Sequence, residues 1–395
     1  MISFDEALAA IHEFAQPLGT EIVPLDQAAG RVLGSPVIAA IDSPRTDVSA
    51  MDGYAVRDAD LVGGQATFAV IGESFPGSGW QGTVPAGSAI RIFTGAPVPA
   101  GADRVVIQEL VPRKEDRATI QSLPTGSRWI RQRGADFKIG DTVMAEGRLI
   151  DPASLVAIAG ADIAAVDVAR QPRVALFATG DELVDPGTAR QSPLGVPDSV
   201  SPALATFAAQ WGGRITLHRR LRDDLPVMRH AAADVIEQAD VVVVTGGASV
   251  GERDFAKAMF EDRKFELIFS KVAIRPGKPA WFARSDATLL LGLPGNPTSA
   301  LVTARLLLAP LLGALQGRPV DDGLRWESAR LSSALRSCDG RETFHRATLS
   351  GGEAILLPFQ ESHAQKTLAD SQILVRQSAY GPEMPAGTFV PVLRL

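Results

Sequence analysis

The chain contains very little cysteine and histidine. Its 395 residues include one cysteine, Cys338, and five histidines. A single cysteine excludes an intrachain disulfide, and with so few histidines no cysteine/histidine metal cluster is expected. The ordinary interpretation of Cys338 is a small side chain that is buried or half-exposed. The chemistry of the protein must therefore come from other residue types.

The sequence also lacks an excess of positive charge and a long uncharged apolar run. It has 39 basic and 45 acidic side chains, a net charge of −6. This charge balance argues against general binding along nucleic acids, because neutralising phosphates needs a basic excess, although local basic clusters can still bind anions. The apolar run Leu301–Leu315 is interrupted by Arg305, and the N-terminal sequence lacks the pattern of a signal peptide. We therefore predict a cytoplasmic protein that binds neither nucleic acid nor membranes.

The length of the chain is sufficient for several domains. Residues 3–15 are typical of an amphipathic helix, with Ser3 and Glu6 forming a capping box. Residues 36–137 carry frequent proline and glycine between short β-type runs, which predicts a β-rich domain. Residues 1–35 and 138–170 are predicted to form a discontinuous elongated domain around it, whose N-terminal helix can pack on the domain that follows.

Residues 171–319 alternate apolar strands with helices. The strands are predicted at 174–178, 240–244 and 287–291, and the helices at 201–211, 226–238 and 299–315. Strands that are apolar throughout indicate a buried, parallel sheet covered on both faces, and hence a doubly wound α/β domain. Residues 320–395 return to short β segments and are predicted to form a small C-terminal β-barrel, or else a β-sandwich. The fold class is thus a multidomain α/β protein.

Three loops rich in glycine, proline, threonine and serine follow the apolar strands, at 179–183, 245–251 and 294–299. The carboxyl ends of parallel strands share one edge of the sheet, so these loops should converge there. Any one of them alone is more simply a chain reversal. Together they predict a site for an anion.

The residue types in these loops explain the preference for an anion. Gly246 and Gly247 allow backbone N–H groups to approach an oxyanion closely. Ser249 and Ser299 add hydroxyl donors, and a helix that begins at Ser299 adds partial positive charge. Arg275 and Lys278 flank a Pro-Gly turn, which either holds an anion between them or is an exposed hairpin tip.

Acidic residues lie near the same predicted edge. Glu182 follows the first strand, Asp223 belongs to an Arg-Asp-Asp sequence, and Asp254 follows the second loop. One or two carboxylates together with phosphate oxygens are the usual ligands of Mg²⁺. For any single acid, surface solvation or helix capping is the simpler interpretation.

Eight motifs then occur in order between residues 49 and 300: SAMDGYA, TGAPVP, RQRGAD, TGDEL, RDD, TGGASVGERDF, RPGKP and GLPGNPTSA. In this combination the chain resembles the MoeA family of bacterial molybdopterin molybdenumtransferases. The resemblance implies an elongated homodimer of four-domain subunits, in which the α/β domain of one subunit faces the β-rich domain of the other. It also implies insertion of molybdenum from molybdate into adenylylated molybdopterin, with Mg²⁺ as cofactor and release of AMP. A transient contact with the molybdopterin adenylyltransferase is compatible with this role.

The resemblance further implies the residues of the site. Magnesium would be held by Glu182 and Asp223. The catalytic set is Asp52, Thr94, Asp136, Glu182, Asp223 and Asp254. The substrate-binding set is Gly246, Gly247, Ser249, Lys271, Arg275, Lys278, Pro294, Asn296, Pro297, Ser299, Arg346 and Ser362.

Four positions depart from the family pattern. Arg275 stands where lysine is usual, Val48 where a polar residue is usual, Val200 where asparagine is expected, and Glu361 where glycine is usual. A paralogue with altered metal or substrate preference is one reading of these changes. Two other functions remain open from the sequence: an enzyme like the molybdopterin adenylyltransferase, and a non-catalytic scaffold.

Overall fold

The computed structural model describes residues 1–61, 65–121, 126–247 and 255–395. The elements of the first 170 residues are α1 (Phe4–Phe14), β1 (Thr20–Pro24), β2 (Val37–Ile38), β3 (Val48–Ser49), β4 (Gly53–Val56), β5 (Ala66–Ser74), β6 (Ser88–Ile92), β7 (Arg104–Ile107), β8 (Arg113–Lys114), β9 (Arg117–Ile120), β10 (Ile130–Arg131), β11 (Thr142–Met144), α2 (Pro152–Gly160) and β12 (Ala165–Ala169).

Helix α1 begins and packs as its sequence predicts. The hydroxyl of Ser3 accepts from the N–H of Glu6, and the Glu6 side chain accepts from the N–H of Ser3, which completes the capping box. Phe4, Ala7 and Ile11 are buried in the core of the α/β domain. Burial of this apolar face attaches the N-terminus of the chain to a domain that begins more than 150 residues later.

The first 170 residues form small two-stranded pairings and one larger sheet. Strand β1 pairs antiparallel with β12, and β2 pairs with β11. Between them, six strands form one sheet in the order β7-β4-β6-β5-β9-β8. The pairing of β1 with β12 joins residues on both sides of the β-rich sheet, as the discontinuous pattern of the sequence predicts.

The next 150 residues contain most of the helices. The elements are β13 (Arg173–Thr179), β14 (Leu183–Val184), β15 (Val196–Pro197), α3 (Val200–Gln210), β16 (Arg214–Leu221), α4 (Leu225–Ile236), β17 (Val241–Thr245), α5 (Phe255–Ala258), β18 (Phe265–Phe269), β19 (Ile274–Arg275), β20 (Trp281–Ser285), β21 (Thr288–Leu293), α6 (Pro297–Thr303) and α7 (Ala309–Leu315), with a π-helical turn at Ala304–Leu308 between the last two helices.

The six-stranded sheet of this segment has the order β16-β13-β17-β21-β20-β18. Strands β16, β13, β17 and β21 are parallel, and the strand order reverses at β13. This arrangement confirms the doubly wound α/β fold. The expectation of a parallel sheet was wrong at one strand. Strand β20 joins β21 directly through the tight turn between Ser285 and Thr288, and it runs antiparallel to both β21 and β18.

Both faces of the sheet are covered. Val241 and Val243 lie in one hydrophobic cluster, and Val242 and Val244 lie in the other. Successive side chains of a strand point to opposite faces, so a strand buried on both sides must be apolar at every position. Among the described residues, Pro297–Leu315 is the one helix whose length and composition would permit a membrane span. It is 94% buried within the protein, as expected of a core helix.

The remaining elements are α8 (Val320–Gly323), β22 (Trp326–Leu331), β23 (Glu342–Ser350), β24 (Glu353–Leu356), α9 (Gln365–Asp370), β25 (Ile373–Gln377) and β26 (Phe389–Arg394). Strands β22–β26 close a five-stranded barrel, because β23 pairs with both β24 and β25. The predicted C-terminal β-barrel is therefore confirmed. Strand β19 of the preceding segment adds to β23 and joins the barrel to the α/β domain.

Candidate functional site

A cleft of about 650 Å³ opens at the carboxyl edge of the α/β sheet. It lies at the reversal of strand order between β13 and β17, where doubly wound sheets bind their ligands. The residues that follow β13, β17 and β21 line it. They are Thr179, Gly180 and Glu182 from the first loop, Thr245, Gly246 and Gly247 from the second, and Pro294, Gly295, Asn296 and Pro297 from the third. The predicted convergence of three loops is confirmed.

Glycine is required where these loops touch. A Cβ atom on Gly246 would lie 2.5 Å from the carbonyl oxygen of Thr179, and Gly246 has a φ of +86°. A Cβ on Gly295 would lie 3.2 Å from the Cα of Gly246. Only residues without a side chain permit such an approach, which leaves backbone N–H groups accessible to an anion.

The acidic side of the cleft is formed by Glu182 and Asp223. The Glu182 carboxylate folds back over Gly180, where a Cβ would lie 2.6 Å from Oε2. The N–H of Asp223 donates to Oδ1 of Asp181 at 3.2 Å, which attaches the loop after β16 to the loop after β13. Within the described part of the chain, no group of three His, Cys, Asp or Glu side chains forms a metal site. Two carboxylates in one polar cleft still fit Mg²⁺, which commonly takes one or two from the protein and oxygens from a phosphate.

The third loop meets the barrel domain. The Asn296 amide donates to the Ser362 hydroxyl at 3.2 Å, and His363 and Gln365 line the cleft from the barrel side. The sequence predicted a contact of Ser362 with the site but not of His363 or Gln365. No sequence motif marked them, because their position depends on how the barrel docks.

Arg346 is almost fully buried, with 1% exposure, beside this contact. Its Nη1 donates to Thr298 Oγ1 at 3.4 Å and to the carbonyl of Glu361 at 3.2 Å. Among the described residues, its Nε and Nη2 have no hydrogen-bond partner. Burial lowers the pKa of Arg346, and the charge of Glu361 partly offsets this effect. Donors left unsatisfied in this way are suited to an oxyanion.

The predicted helix start at Ser299 was wrong by two residues. Helix α6 begins at Pro297 with Asn296 as its N-cap residue, so Ser299 is the third helical residue and is buried. Proline is favoured at the first helical position, since its missing N–H has no partner there. The helix N-terminus therefore points into the cleft through Asn296 and Pro297, both of which line it.

Three basic residues that the sequence assigned to the site do not line the cleft formed by the described residues. Lys271, Arg275 and Lys278 are exposed, although the neighbouring Pro279 does line it. Arg275 lies on β19 opposite Thr343 of the barrel. These side chains are exposed to solvent and are not held in the cleft wall. Ser249 and Asp254 lie outside the described residues.

Asp52 and Thr94, which the sequence selected from separate motifs, are in direct contact. Asp52 Oδ1 accepts from the N–H and from the Oγ1 of Thr94, both at 2.7 Å. The bond from the backbone N–H has the larger effect, and together the two bonds hold the pKa of Asp52 below its usual value. The carboxylate is ionised at neutral pH and half-buried. It lies in the β-rich domain and is not among the residues that line the cleft.

Asp136 lines a second hollow, of about 380 Å³, together with Val48 and Arg131. Thus the structure groups Glu182, Asp223 and the loop residues at one place, and distributes Asp52, Thr94 and Asp136 over the β-rich region. Sequence reasoning also missed the cleft residues Thr179, Thr245, Asp198 and Pro279 as individual contacts. Asp198 precedes a helix, and its capping role was the one signal that could have found it.

Known proteins resemble this chain along nearly its whole length. The model described as "MoeA N-terminal region (domain I and II)" matches residues 2–161, and "Probable molybdopterin binding domain" matches residues 175–314. A relative named molybdopterin molybdenumtransferase, from Haemophilus influenzae, is 38% identical over 88% of this chain and 85% of its own length. Molybdopterin molybdenumtransferase 2 of Mycobacterium tuberculosis is 33% identical over 99% of both chains.

Solved structures agree with these relatives. The molybdopterin biosynthesis MoeA protein of Pyrococcus horikoshii is 28% identical, with a TM-score of 0.82 over 100% of this chain and 99% of its own. A second MoeA structure from that organism has the same fold, with a TM-score of 0.86 at 24% identity. With the doubly wound domain, the closed barrel and the ordered motifs, these matches show that the chain belongs to the MoeA family.

Proposed function

We propose that this protein is a molybdopterin molybdenumtransferase of molybdenum cofactor biosynthesis. It would insert molybdenum from molybdate into adenylylated molybdopterin and release AMP. The observation that supports this most directly is the cleft at the switch point, where glycine-rich loops and two carboxylates face one another in a chain of the MoeA family. The names of the relatives support the same activity.

The cleft offers two regions with different chemistry. Backbone N–H groups near Gly246 and Gly247 and the N-terminus of α6 would bind the pyrophosphate of the substrate. Glu182 and Asp223 would hold Mg²⁺, which when bound offsets the charge that develops on the phosphates. The carboxylates would also orient the water that adds to the adenylyl phosphorus, after which the phosphoanhydride P–O bond breaks and AMP leaves.

Molybdate would bind at the junction of the α/β domain and the barrel. Arg346 offers two nitrogen atoms, Nε and Nη2, whose N–H groups have no partner among the described residues, and Ser362 offers a hydroxyl already bonded to Asn296. Lys278 and Arg275 would close the region from solvent and add positive charge. The two dithiolene thiols would form two Mo–S bonds, and one oxygen of molybdate would leave as water with the two thiol protons. Ser299, which is buried in α6, would support the loop and not contact the anion.

The remaining parts of the proposal concern the assembly. Asp52, Thr94 and Asp136 would complete the cleft of a second subunit in a cytoplasmic homodimer. A transient contact with the molybdopterin adenylyltransferase would supply the substrate. The proposal of a shared site is supported by the cleft lining of a single chain, which does not include these three residues.

The test is release of AMP from adenylylated molybdopterin by the purified protein. We expect release to require Mg²⁺ and molybdate, to stop with EDTA, and to accompany formation of active cofactor. Consumption of ATP with molybdopterin would instead identify an adenylyltransferase. A protein that binds the adenylylated substrate but releases no AMP under any of these conditions would fit a scaffold and contradict the proposal.

A further inference from the structure

The cleft contains one buried carboxylate that the proposed chemistry does not use. Asp198 lines the cleft, and its side chain is 6% exposed. Oδ1 accepts from the N–H of Ser201 at 3.0 Å, in the first turn of α3. Among the described residues no hydrogen bond reaches Oδ2, and the one basic side chain within 4 Å is His218, whose Nε2 lies 3.8 Å from it. Helix capping explains one oxygen of this buried group and leaves the other without a role.

An apolar hollow of about 280 Å³ adjoins the cleft beside Asp198. The two cavities share Ser199, Val200, Pro297 and Gln365 as lining residues. The hollow continues between α3, α6 and α9, along Ala203, Leu204, Leu301 and Leu368. Its walls are therefore aliphatic, and its mouth lies within two residues of the buried carboxylate.

An aliphatic hollow beside a buried carboxylate selects a particular chemistry. Flat ring systems bury their faces against apolar side chains, and their edges seek hydrogen-bond partners. An ionised carboxylate only accepts hydrogen bonds, so it suits a ring edge that carries adjacent N–H and NH₂ donors. Pterins and guanine have such a 2-amino-4-oxo edge. Adenine does not, since its amino group is next to an acceptor nitrogen.

We propose that Asp198 is a specificity-determining residue that binds the 2-amino-4-oxo edge of a fused heterocycle whose ring face lies against Val200. This inference rests on the proposed function, because it assigns the pterin of the substrate to this end of the cleft. Val200 stands where the family pattern has asparagine. In this chain the ring is therefore recognised by the carboxylate at its edge and by apolar contact on its face.

Fluorescence titration of 6-hydroxymethylpterin with the full-length protein tests the assignment. The variant Asp198→Asn keeps an oxygen for the Ser201 N–H but presents an amide donor toward the donors of the ring. We expect its dissociation constant for the pterin to rise by about tenfold to a hundredfold. The matched control is Asp185→Asn, a nearby exposed aspartate paired with Arg220, which should bind the pterin as the wild type does.

Competition with nucleosides distinguishes the sources of the ring edge. Guanosine should displace the pterin from the wild type, and adenosine should not. The tighter of pterin and guanosine identifies the natural ring. A second variant, Ala203→Phe, fills the hollow without touching the carboxylate and should also weaken the pterin, which keeps the inference testable if Asp198→Asn fails to fold.

Three results would overturn the inference: no saturable pterin binding to the wild type, equal binding by Asp198→Asn, or equal displacement by adenosine. Each is separable from failure of the proposed function. A protein that binds the pterin through Asp198 but releases no AMP contradicts the molybdenumtransferase proposal alone. A protein that releases AMP while Asp198→Asn retains full pterin affinity contradicts the Asp198 assignment alone.

Discussion

One position in the α/β core must be glycine because a large side chain packs against it. Trp281 is fully buried on β20, and its indole lies across Gly292 of β21, its partner in the ladder. A Cβ at position 292 would lie 1.9 Å from the indole Nε1. No rotamer change of so large a buried ring can accommodate that atom without moving the sheet. Gly292 is thus required for packing, two residues before the cleft loop at Pro294.

Gly292→Ala is expected to destabilise the α/β domain. The added methyl group overpacks a dense core, which we expect to lower the free energy of unfolding by about 3 kcal/mol. Urea unfolding followed by circular dichroism would measure it as a lower midpoint. Gly160→Ala is the control: it lies at the end of α2, with no atom closer than 3.9 Å to the new Cβ, and should be neutral or slightly stabilising. Equal effects of the two substitutions would contradict the packing argument.

At the scale of secondary-structure elements, one ion pair joins the starts of the parallel strands β13 and β17. Arg173 begins β13, and Asp240 directly precedes β17. Asp240 Oδ2 accepts from the backbone N–H and the Nε of Arg173, and Oδ1 accepts from Nη2 at 2.9 Å. Burial by itself raises the pKa of Asp240, but the hydrogen bonds and charge of Arg173 outweigh it, so the pKa is lowered. The pair stabilises the alignment of strands whose opposite ends form the cleft.

The pH dependence of this pair follows from the lowered pKa. A carboxylate with a lowered folded-state pKa stabilises the fold above its unfolded pKa, near 4, and loses that contribution as the pH falls through the folded value. We expect Asp240→Asn to cost about 1 kcal/mol at pH 7, a modest value because the pair is partly exposed, and almost nothing at the acid limit of folding. Urea midpoints from pH 7 to pH 3 would measure the difference.

Asp286→Asn provides the matched control for that series. Its pair with Lys264, at 2.8 Å, is largely exposed on both sides. Solvent screens such pairs, so the control should show little loss at any pH. A loss at Asp240 that stayed constant down to pH 3 would show that the contribution does not come from the ionised carboxylate.

Over the whole molecule, the candidate catalytic residues are divided between two domains. Glu182 and Asp223 lie in the α/β cleft, whereas Asp52, Thr94 and Asp136 lie in the β-rich region. One chain does not bring the two groups together. A homodimer in which each α/β domain faces the other chain's β-rich domain would do so, and would build each site from two subunits.

Mixed dimers test this shared site. Asp52→Ala and Glu182→Ala should each abolish most activity without unfolding the protein. In co-expressed dimers, half are mixed and one of their two sites is intact, so activity should return to about a quarter of the wild-type value. The negative control mixes Asp52→Ala with Asp136→Ala. Both changes affect the same domain, so no site becomes intact, and activity should not return. No return in the first mixture would contradict the shared site.

The sequence by itself determined the features that depend on local chemistry. The capping box of Ser3 and Glu6 and the all-apolar strands each follow from neighbouring residues, and both were found where predicted. The three glycine-rich loops follow those strands, so their shared edge could also be predicted. The ordered motifs also indicated the family, which the spacing of apolar residues along the chain does not reveal.

Tertiary structure decided what depends on residues far apart in the chain. The antiparallel direction of β20 follows from its pairing with β21, and the entry of His363 into the cleft follows from the docking of the barrel. The second oxygen of Asp198 became notable only when the fold buried it beside an apolar hollow. Local preferences are set by near neighbours, whereas burial and convergence depend on contacts that exist only after the domains have packed.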